Sequence, residues 1–281
     1  MLDRVDRILM ASSDAEYTAS RWCNLVDAVI DRRADEPALG SRKVVLRLGD
    51  AELEIHQPWR TGPVADHLNH QAGPLAAGLA TNDLPALIDH LSSQSITPIP
   101  LSEGRFYCDA AALGVPGFCF VLSEVEYHAT VGLLTNLYEC TLLTGDCATS
   151  TTNIARIFGL DISQFVAIHS NTYGYDGQLT LFDNSRLHRI EAINPYDQTK
   201  TMGRFHQRFG PALYMCYGEA RDLTPIRERM KALAPQAWTG NDDDPDSMFI
   251  HPRATGSCMM GISRETHAWS WSGYPERNVP A

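Results

Sequence analysis

Short apolar runs and capped amphipathic stretches alternate along this chain in a recurring order. Val5 to Ala11 is an apolar-rich run that predicts a strand, and Ser12-Ser13-Asp14 ends it. Ser13 or Asp14 can cap a following helix, because a side-chain oxygen accepts the free N–H groups of a first turn. Tyr17, Trp22, Leu25, Val26 and Val29 give that helix an apolar stripe near the 3.6-residue period. Lys43 to Leu48 and Glu52 to Gln57 read as strands joined at Gly49-Asp50, a hairpin signal, and Pro58 stops the second. After a polar linker from Arg60 to Gly73, Leu75 to Thr81 predicts a strand and Asn82-Asp83 caps a helix through Leu91. Strands follow at Ile96 to Leu101, Phe106 to Ala111 and Gly117 to Leu122; Pro98 and Pro100 put the first of these on an edge.

From Leu133 onward the programme repeats. Leu137 to Leu143 is a strand, Gly145-Asp146 a cap and Thr149 to Phe158 a helix. Phe165 to Ser170, Gln178 to Phe182 and His188 to Asn194 are strands, stopped by Pro195. A long connection containing Gly210-Pro211 leads to the strand Leu213 to Glu219. Asp222 caps a helix from Leu223 to Leu233, and the acidic loop Asp242-Asp243-Asp244 precedes the closing segment. The first caps, Asp14 and Asp146, lie 132 positions apart; the stops Pro58 and Pro195 lie 137 apart. The Gly-Pro pairs at 73 and 210 are also 137 apart, and the caps Asp83 and Asp222 are 139 apart. A slowly drifting offset is what small loop insertions leave after a duplication. We therefore read four strand–helix–strands modules, with domains at 1–126 and 127–281 and the site expected in the second.

Composition narrows the class. The 281 residues suffice for two domains, and the formal net charge of −11 argues against non-specific nucleic-acid binding. No apolar run reaches the roughly 18 residues of a membrane span, and Met1 to Arg7 lacks the apolar core of a signal peptide. The seven cysteines form no Cys-x-x-Cys pair and read as buried free thiols of a cytoplasmic protein, with Cys216 or Cys258 as candidate thiol nucleophiles.

Met248 to Gly261 reads Met-Phe-Ile-His-Pro-Arg-Ala-Thr-Gly-Ser-Cys-Met-Met-Gly. With the element order, it resembles the closing turn and last strand of the vicinal oxygen chelate superfamily, in particular its glyoxalases, methylmalonyl-CoA epimerases and four-module extradiol dioxygenases. The resemblance implies an α+β fold of two tandem domains, each of two βαβββ modules forming a curved, mostly antiparallel sheet around a funnel. It also implies a divalent metal held by His, His and Glu. Those places carry Arg7, Ala76 and Val121 in the first half and Glu139, Met215 and Gly261 in the second, with Gln57 and Asn194 at a fourth. Ala, Met, Val and Gly supply no hard ligand. We therefore expect no metal and no cofactor, with a divalent metal on ligands counted out of register as the alternative.

Glu139 stands inside the apolar strand Leu137-Tyr138-Glu139-Cys140-Thr141-Leu142. Buried without a cation, its pKa would rise toward neutrality and fit it as a general acid or base. The alternatives are an outward-facing side chain or one tied to Arg7 or Arg189. Met215, Tyr217 and Glu219 share one face of their strand by period-two alternation, so Glu219 could partner Glu139. His169 before the Tyr173-Gly174-Tyr175 loop, and His251 with Arg253 in the His-Pro-Arg turn, are further polar candidates. Lys200, Arg204, His206 and Arg208, interleaved with Phe205, Phe209 and Tyr214, could hold an anionic or aromatic substrate by charge and stacking.

The expected catalytic set is thus Glu139, Glu219, Tyr217 and His169, and the expected binding set is His251, Arg253, Asn194, Met215, Arg204, His206 and Tyr173. The reaction class we expect is proton transfer, of the isomerase or lyase type, on a small organic molecule. The alternatives are a metal-dependent ring-cleaving dioxygenase and a small-molecule sequestering protein. We expect no nucleic-acid or membrane partner; a homodimer is the candidate assembly.

Overall fold

The computed structural model describes residues 1–241, 244–256 and 258–280. Two of the three acidic-loop residues, Asp242 and Asp243, lie outside the described residues, as does Ser257 of the closing segment. The first module comprises β1 (Arg4–Ala11), α1 (Ala15–Val26), β2 (Val29–Glu36), β3 (Ser41–Leu48) and β4 (Ala51–Pro58). After α2 (Pro63–His70) the second module runs β5 (Gly73–Thr81), α3 (Leu84–Ser93), β6 (Ile99–Pro100), β7 (Phe106–Asp109) and β8 (Cys119–Glu124). The third is β9 (Asn136–Leu143), α4 (Cys147–Phe158), β10 (Val166–Ser170), β11 (Tyr175–Leu181) and β12 (Arg189–Pro195). After α5 (Thr201–Phe209) come β13 (Ala212–Ala220), α6 (Thr224–Leu233), β14 (Trp238–Asn241), β15 (Asp244–Ile250), α7 (Pro252–Thr255) and β16 (Met259–Arg264).

The strands form two curved sheets of eight, ordered β2-β3-β4-β1-β5-β8-β7-β6 and β10-β11-β12-β9-β13-β16-β15-β14. Adding eight to every label of the first order gives the second, so the duplication extends to topology. Each half of the chain, 1–126 and 127–281, supplies one sheet, and we keep these as the proposed domains. By packing, the chain falls into two compact units. One is Met1–Val5 with Ala76–Glu126 and Glu139–Tyr214; the other is Asp6–Leu75 with Tyr127–Tyr138 and the chain from Met215 onward. No helix among the described residues is long and apolar enough to cross a membrane.

Local chemistry explains the elements. Asp14 and Asp146 accept the N–H groups of Tyr17 and Thr149, and Asp83 accepts that of Ala86, so three predicted caps hold. The fourth, Asp222, accepts the Thr224 N–H at 2.8 Å from one residue ahead of the cap position Leu223, and the helix starts at Thr224. Ile8, Met10, Val44, Leu46, Leu53 and Ile55 are buried on the α1 side of the first sheet beneath Trp22 and Leu25. Burying one such side chain stabilises by about 1.5–3 kcal/mol. In the other unit Phe158 of α4 meets Phe120 edge-on at 4.9 Å. The β3–β4 turn at Gly49 has φ +59 and lies against the backbone of Thr135, where a Cβ would come within 2.7 Å.

Several elements differ from expectation. Helix α1 stops at Val26 because Asp27 turns left-handed (φ 54), so Val29 opens β2 and Tyr17 is exposed. Strand β2 reads Val-Ile-Asp-Arg-Arg-Ala-Asp-Glu and shows no apolar alternation, since an exposed edge strand needs none. Both polar connections contain a helix, α2 and α5. Of Ile96 to Leu101 only Ile99–Pro100 pairs, because Pro98 and Pro100 lack N–H donors. The His-Pro-Arg turn is the start of one-turn α7, with Pro252 at its first position.

Candidate functional site

Strand alternation sorts the side chains of β4 and β12 into two faces. Gln57 of β4 accepts the N–H of Ala15 in α1, so Leu53, Ile55 and Gln57 face the helix, and Glu52, Glu54 and His56 face the other way. The register repeats in the second sheet. Arg7 pairs with Glu52 across β1–β4, and Glu139 pairs with Arg189 across β9–β12. The equivalent places thus carry the same two charges with their signs exchanged. Glu54 and Glu191 are likewise equivalent.

In the second sheet Arg189 Nε lies 2.6 Å from Glu139 Oε2, and both side chains are almost fully buried. The Thr141 hydroxyl lies 2.7 Å from Glu191 Oε2 and 3.3 Å from Glu139 Oε1. Burial, followed by the Glu139 charge, pushes the Glu191 carboxyl up to about 8; Thr141 and Arg189 pull only partly against this. Tyr175 is half-buried beside the pair, and burial together with Glu191 and Glu139 holds its phenol protonated. Cys147 is pushed up to about 11 by burial, then by Asp146 and Glu191, which makes it a poor nucleophile.

Glu139 is therefore buried as expected but not without a cation. The group with the raised pKa is Glu191, which sequence reading did not single out. Its signal was present: Glu191 stands in the apolar strand His188 to Asn194, two residues from Arg189 on the same face.

The first sheet fills the equivalent space differently. Glu54 receives Lys43 Nζ at 3.0 Å and His56 Nε2 at 3.1 Å, with Arg7 Nε at 3.7 Å. Glu52 has Arg32 at 2.9 Å and Arg7 at 3.5 Å. Lys43 faces His56 in register, and the corresponding pair in the second sheet is Gly177 and Ile193. The second carboxylate therefore lacks the ammonium that its counterpart has.

The remaining expected site residues are dispersed. Glu219 is buried, but its oxygens accept from Asn136 Nδ2 (3.0 Å) and the Thr266 N–H (2.7 Å), which ties down two loops. His169 is exposed on edge strand β10, bonded to Asp176 and Asn171 and stacked on Tyr196; those hydrogen bonds raise its pKa. Tyr173, Arg204 and Arg253 are exposed, and Arg204 bonds the carbonyl of Thr199 and the hydroxyl of Thr201. His206 and His251 are half-buried with lowered pKa values, and His251 lies 2.6 Å from Thr239 Oγ1. Asn194 has the parity of Ile190 and Ala192, on the helix side, and Met215 is buried and apolar. Cys216 and Cys258 are buried with sulfurs 3.9 Å apart, and this contact plus burial raises the Cys258 pKa, which suppresses thiolate chemistry.

The donor set at the family's metal places does not fit a cation. Glu139 is occupied by Arg189, Met215 is a thioether, and the backbone at Gly261 leaves no room for a side chain. A Cβ there would come within 2.1 Å of the Tyr217 ring, which packs against Tyr138 and Phe249. Among the described residues no three His, Cys, Asp or Glu side chains cluster as metal ligands.

No family model matches the sequence, and no curated protein matches it. Solved structures do. A variant of 4-hydroxymandelate synthase from Streptomyces coelicolor aligns with TM-score 0.66 at 12% identity, covering 94% of this chain and 93% of that one. A fusion of a xylose isomerase-like TIM barrel with 4-hydroxyphenylpyruvate dioxygenase aligns with TM-score 0.62 at 11% identity, covering 94% of this chain and 49% of the fusion. Methylmalonyl-CoA epimerase from Mycobacterium tuberculosis aligns over 47% of this chain and 89% of its own, at 16% identity and TM-score 0.38. The chain has the fold of the vicinal oxygen chelate superfamily. More particularly, it has the four-module form, two tandem sheets each built from paired βαβββ modules.

Proposed function

We propose that the chain is a small-molecule enzyme that moves protons at the Glu139–Glu191 pair of its second sheet, in an isomerase or lyase type of reaction. The observation that supports this is the pair itself: two buried carboxyls sharing one hydroxyl, Glu139 bonded to a guanidinium and Glu191 held up at about 8. A carboxyl that keeps its proton at neutrality can act as a general acid, and its loss near the working pH leaves a base. Glu139 stays matched to Arg189 and supplies the negative field that keeps Glu191 protonated. A buried Arg beside the acid can receive the oxyanion or carboxylate of a bound carbonyl compound. Arg204, His206 and Tyr173, of the same compact unit, stay as proposed contacts of the substrate's outer parts; His251 and Arg253 stay as a separate proposed binding turn, and Glu219, Tyr217 and His169 pass from chemistry to support.

The test is a screen of carbonyl and phenolic compounds in D2O, followed by NMR for exchange or rearrangement. Turnover that disappears in both Glu191→Gln and Glu139→Gln, with folding retained, is the expected result. Turnover surviving in Glu191→Gln would overturn the assignment. Tight binding of a compound without any product would favour the sequestering alternative, and stoichiometric iron, manganese or zinc in the purified protein would favour the dioxygenase alternative.

A further inference from the structure

The contacts of one hydroxyl carry a conclusion about how the proton at this site moves. Thr141 stands opposite Glu191 in the β9–β12 register and two residues from Glu139 on the same strand face. Its Oγ1 lies within hydrogen-bond reach of Glu191 Oε2 (2.7 Å) and Glu139 Oε1 (3.3 Å), and all three side chains are buried. A threonine hydroxyl has one hydrogen to donate, whereas two ionised carboxylates only accept. Both contacts are satisfied at once when one carboxyl is protonated and donates to Thr141 while Thr141 donates to the other, and the two carboxyls also lie within hydrogen-bond reach of each other. Glu139 takes a 2.6 Å contact from the Arg189 guanidinium, a charge-assisted geometry, so the carboxylate belongs there and the acid is Glu191.

The first sheet lacks this arrangement. Leu9 occupies the place of Thr141, and Glu54 is matched by Lys43 and His56. A hydroxyl bridge is therefore found where the ammonium is missing.

We propose that Thr141 is a proton relay between Glu191 and Glu139, so that the two carboxyls hold one proton in common. In the transfer, the Glu191 O–H bond breaks as its proton passes to Thr141 Oγ1. The Thr141 O–H bond breaks in turn as its proton passes to a Glu139 oxygen. One proton has moved, Thr141 is unchanged and the net charge of the cluster is constant. The charged and titratable groups around the relay are Arg189, beside Glu139, and the Tyr175 phenol and Cys147 thiol, both of which stay neutral through the working range. The relay rests on the acid–base reading of this site and makes it reversible: a proton taken up by one carboxyl can be given back by the other without passing through solvent.

The test uses the full chain with 13C-labelled glutamate side chains and follows both carboxyl carbons by NMR as pH is raised. In the wild type the Glu139 and Glu191 signals should move together through one common midpoint. In Thr141→Val the two should titrate separately, with the Glu191 midpoint higher because its ionised form has lost a donor. Thr141→Ser should restore the common midpoint, a rescue that simple packing would not give. Separate midpoints in the wild type, or common ones in Thr141→Val, overturn the relay. A common midpoint in a protein that turns over none of the screened compounds leaves the relay standing and removes the enzyme reading. Turnover that needs Glu191, with independent midpoints, does the reverse.

Discussion

The buried charge clusters of the two sheets began from one pattern and now differ in polarity and in balance. In the first, Arg7 meets Asp6 as well as Glu52, Glu52 is also met by Arg32, and Glu54 is met by Lys43 and His56, so Glu52 and Glu54 each have a cation besides Arg7. In the second, Glu139 faces Arg189, and Glu191 has Thr141 and only the field of that guanidinium. Buried ions cost several kcal/mol to desolvate and are held by their partners, so a balanced cluster is locked and an unbalanced one must take up a proton. The difference between a structural core and a candidate site comes down to one ammonium: Lys43 on β3 against Gly177 on β11.

Removing the guanidinium should separate the two most sharply. Arg189→Met strands two carboxyls and should destabilise by about 3–5 kcal/mol in urea unfolding. Arg7→Met should cost less, because Lys43 and Arg32 stay beside Glu54 and Glu52 although Asp6 loses its contact; an equal cost would break the comparison. Converting the first cluster toward the second by Lys43→Ala should cost about 1–3 kcal/mol and add a second alkaline loss of stability to the one that Glu191 gives the wild type.

The pH dependence itself comes next. Glu191 binds its proton more tightly folded than unfolded, so its contribution is fully present below the ordinary glutamate range. It is lost as pH rises from there through about 8. Thermal midpoints should fall across that window in the wild type and stay flatter in Glu191→Gln. On the acid side, half-buried His188 is held down at about 3 by desolvation and then by the charges of Arg4, Arg186 and Arg189, and its Nδ1 accepts the Val5 N–H. Its contribution is present above 6.5 and lost as pH falls toward 3, so His188→Gln should soften the acid limb of the same thermal series. The smallest effect belongs to His169, exposed on its edge strand; His169→Ala should leave both turnover and the thermal midpoint unchanged.

Much of the fold was legible because caps and apolar runs are local signals. Asp14, Asp83 and Asp146 announced their helices, and the drifting spacing of landmarks announced the duplication. Strand β2 and helices α2 and α5 were hidden because each has an exposed face or a short span and so lacks a clean apolar period. The site was half legible. Glu139 could be picked out as a carboxylate in an apolar strand, but its partner lies 50 residues away and meets it only through the β9–β12 register. Local spacing says nothing about which residues a parallel pairing brings opposite each other, so Arg189 stood only as one of two alternative partners beside Arg7, and Glu191 went unassigned. His169 and Glu219 failed for the converse reason: their types suited chemistry, but their neighbours use them to hold loops and edges.

The Tyr217 ring beside Gly261 sets the order in which a chemist could rebuild this protein. Gly261→Glu alone meets the ring at 2.1 Å and should be rejected by the core, whereas Tyr217→Ala first opens the volume that a carboxylate needs. Restoring a carboxylate at this strand must therefore be preceded by a substitution that adds no ligand, so an acidic side chain at 261 is hard to regain in one step.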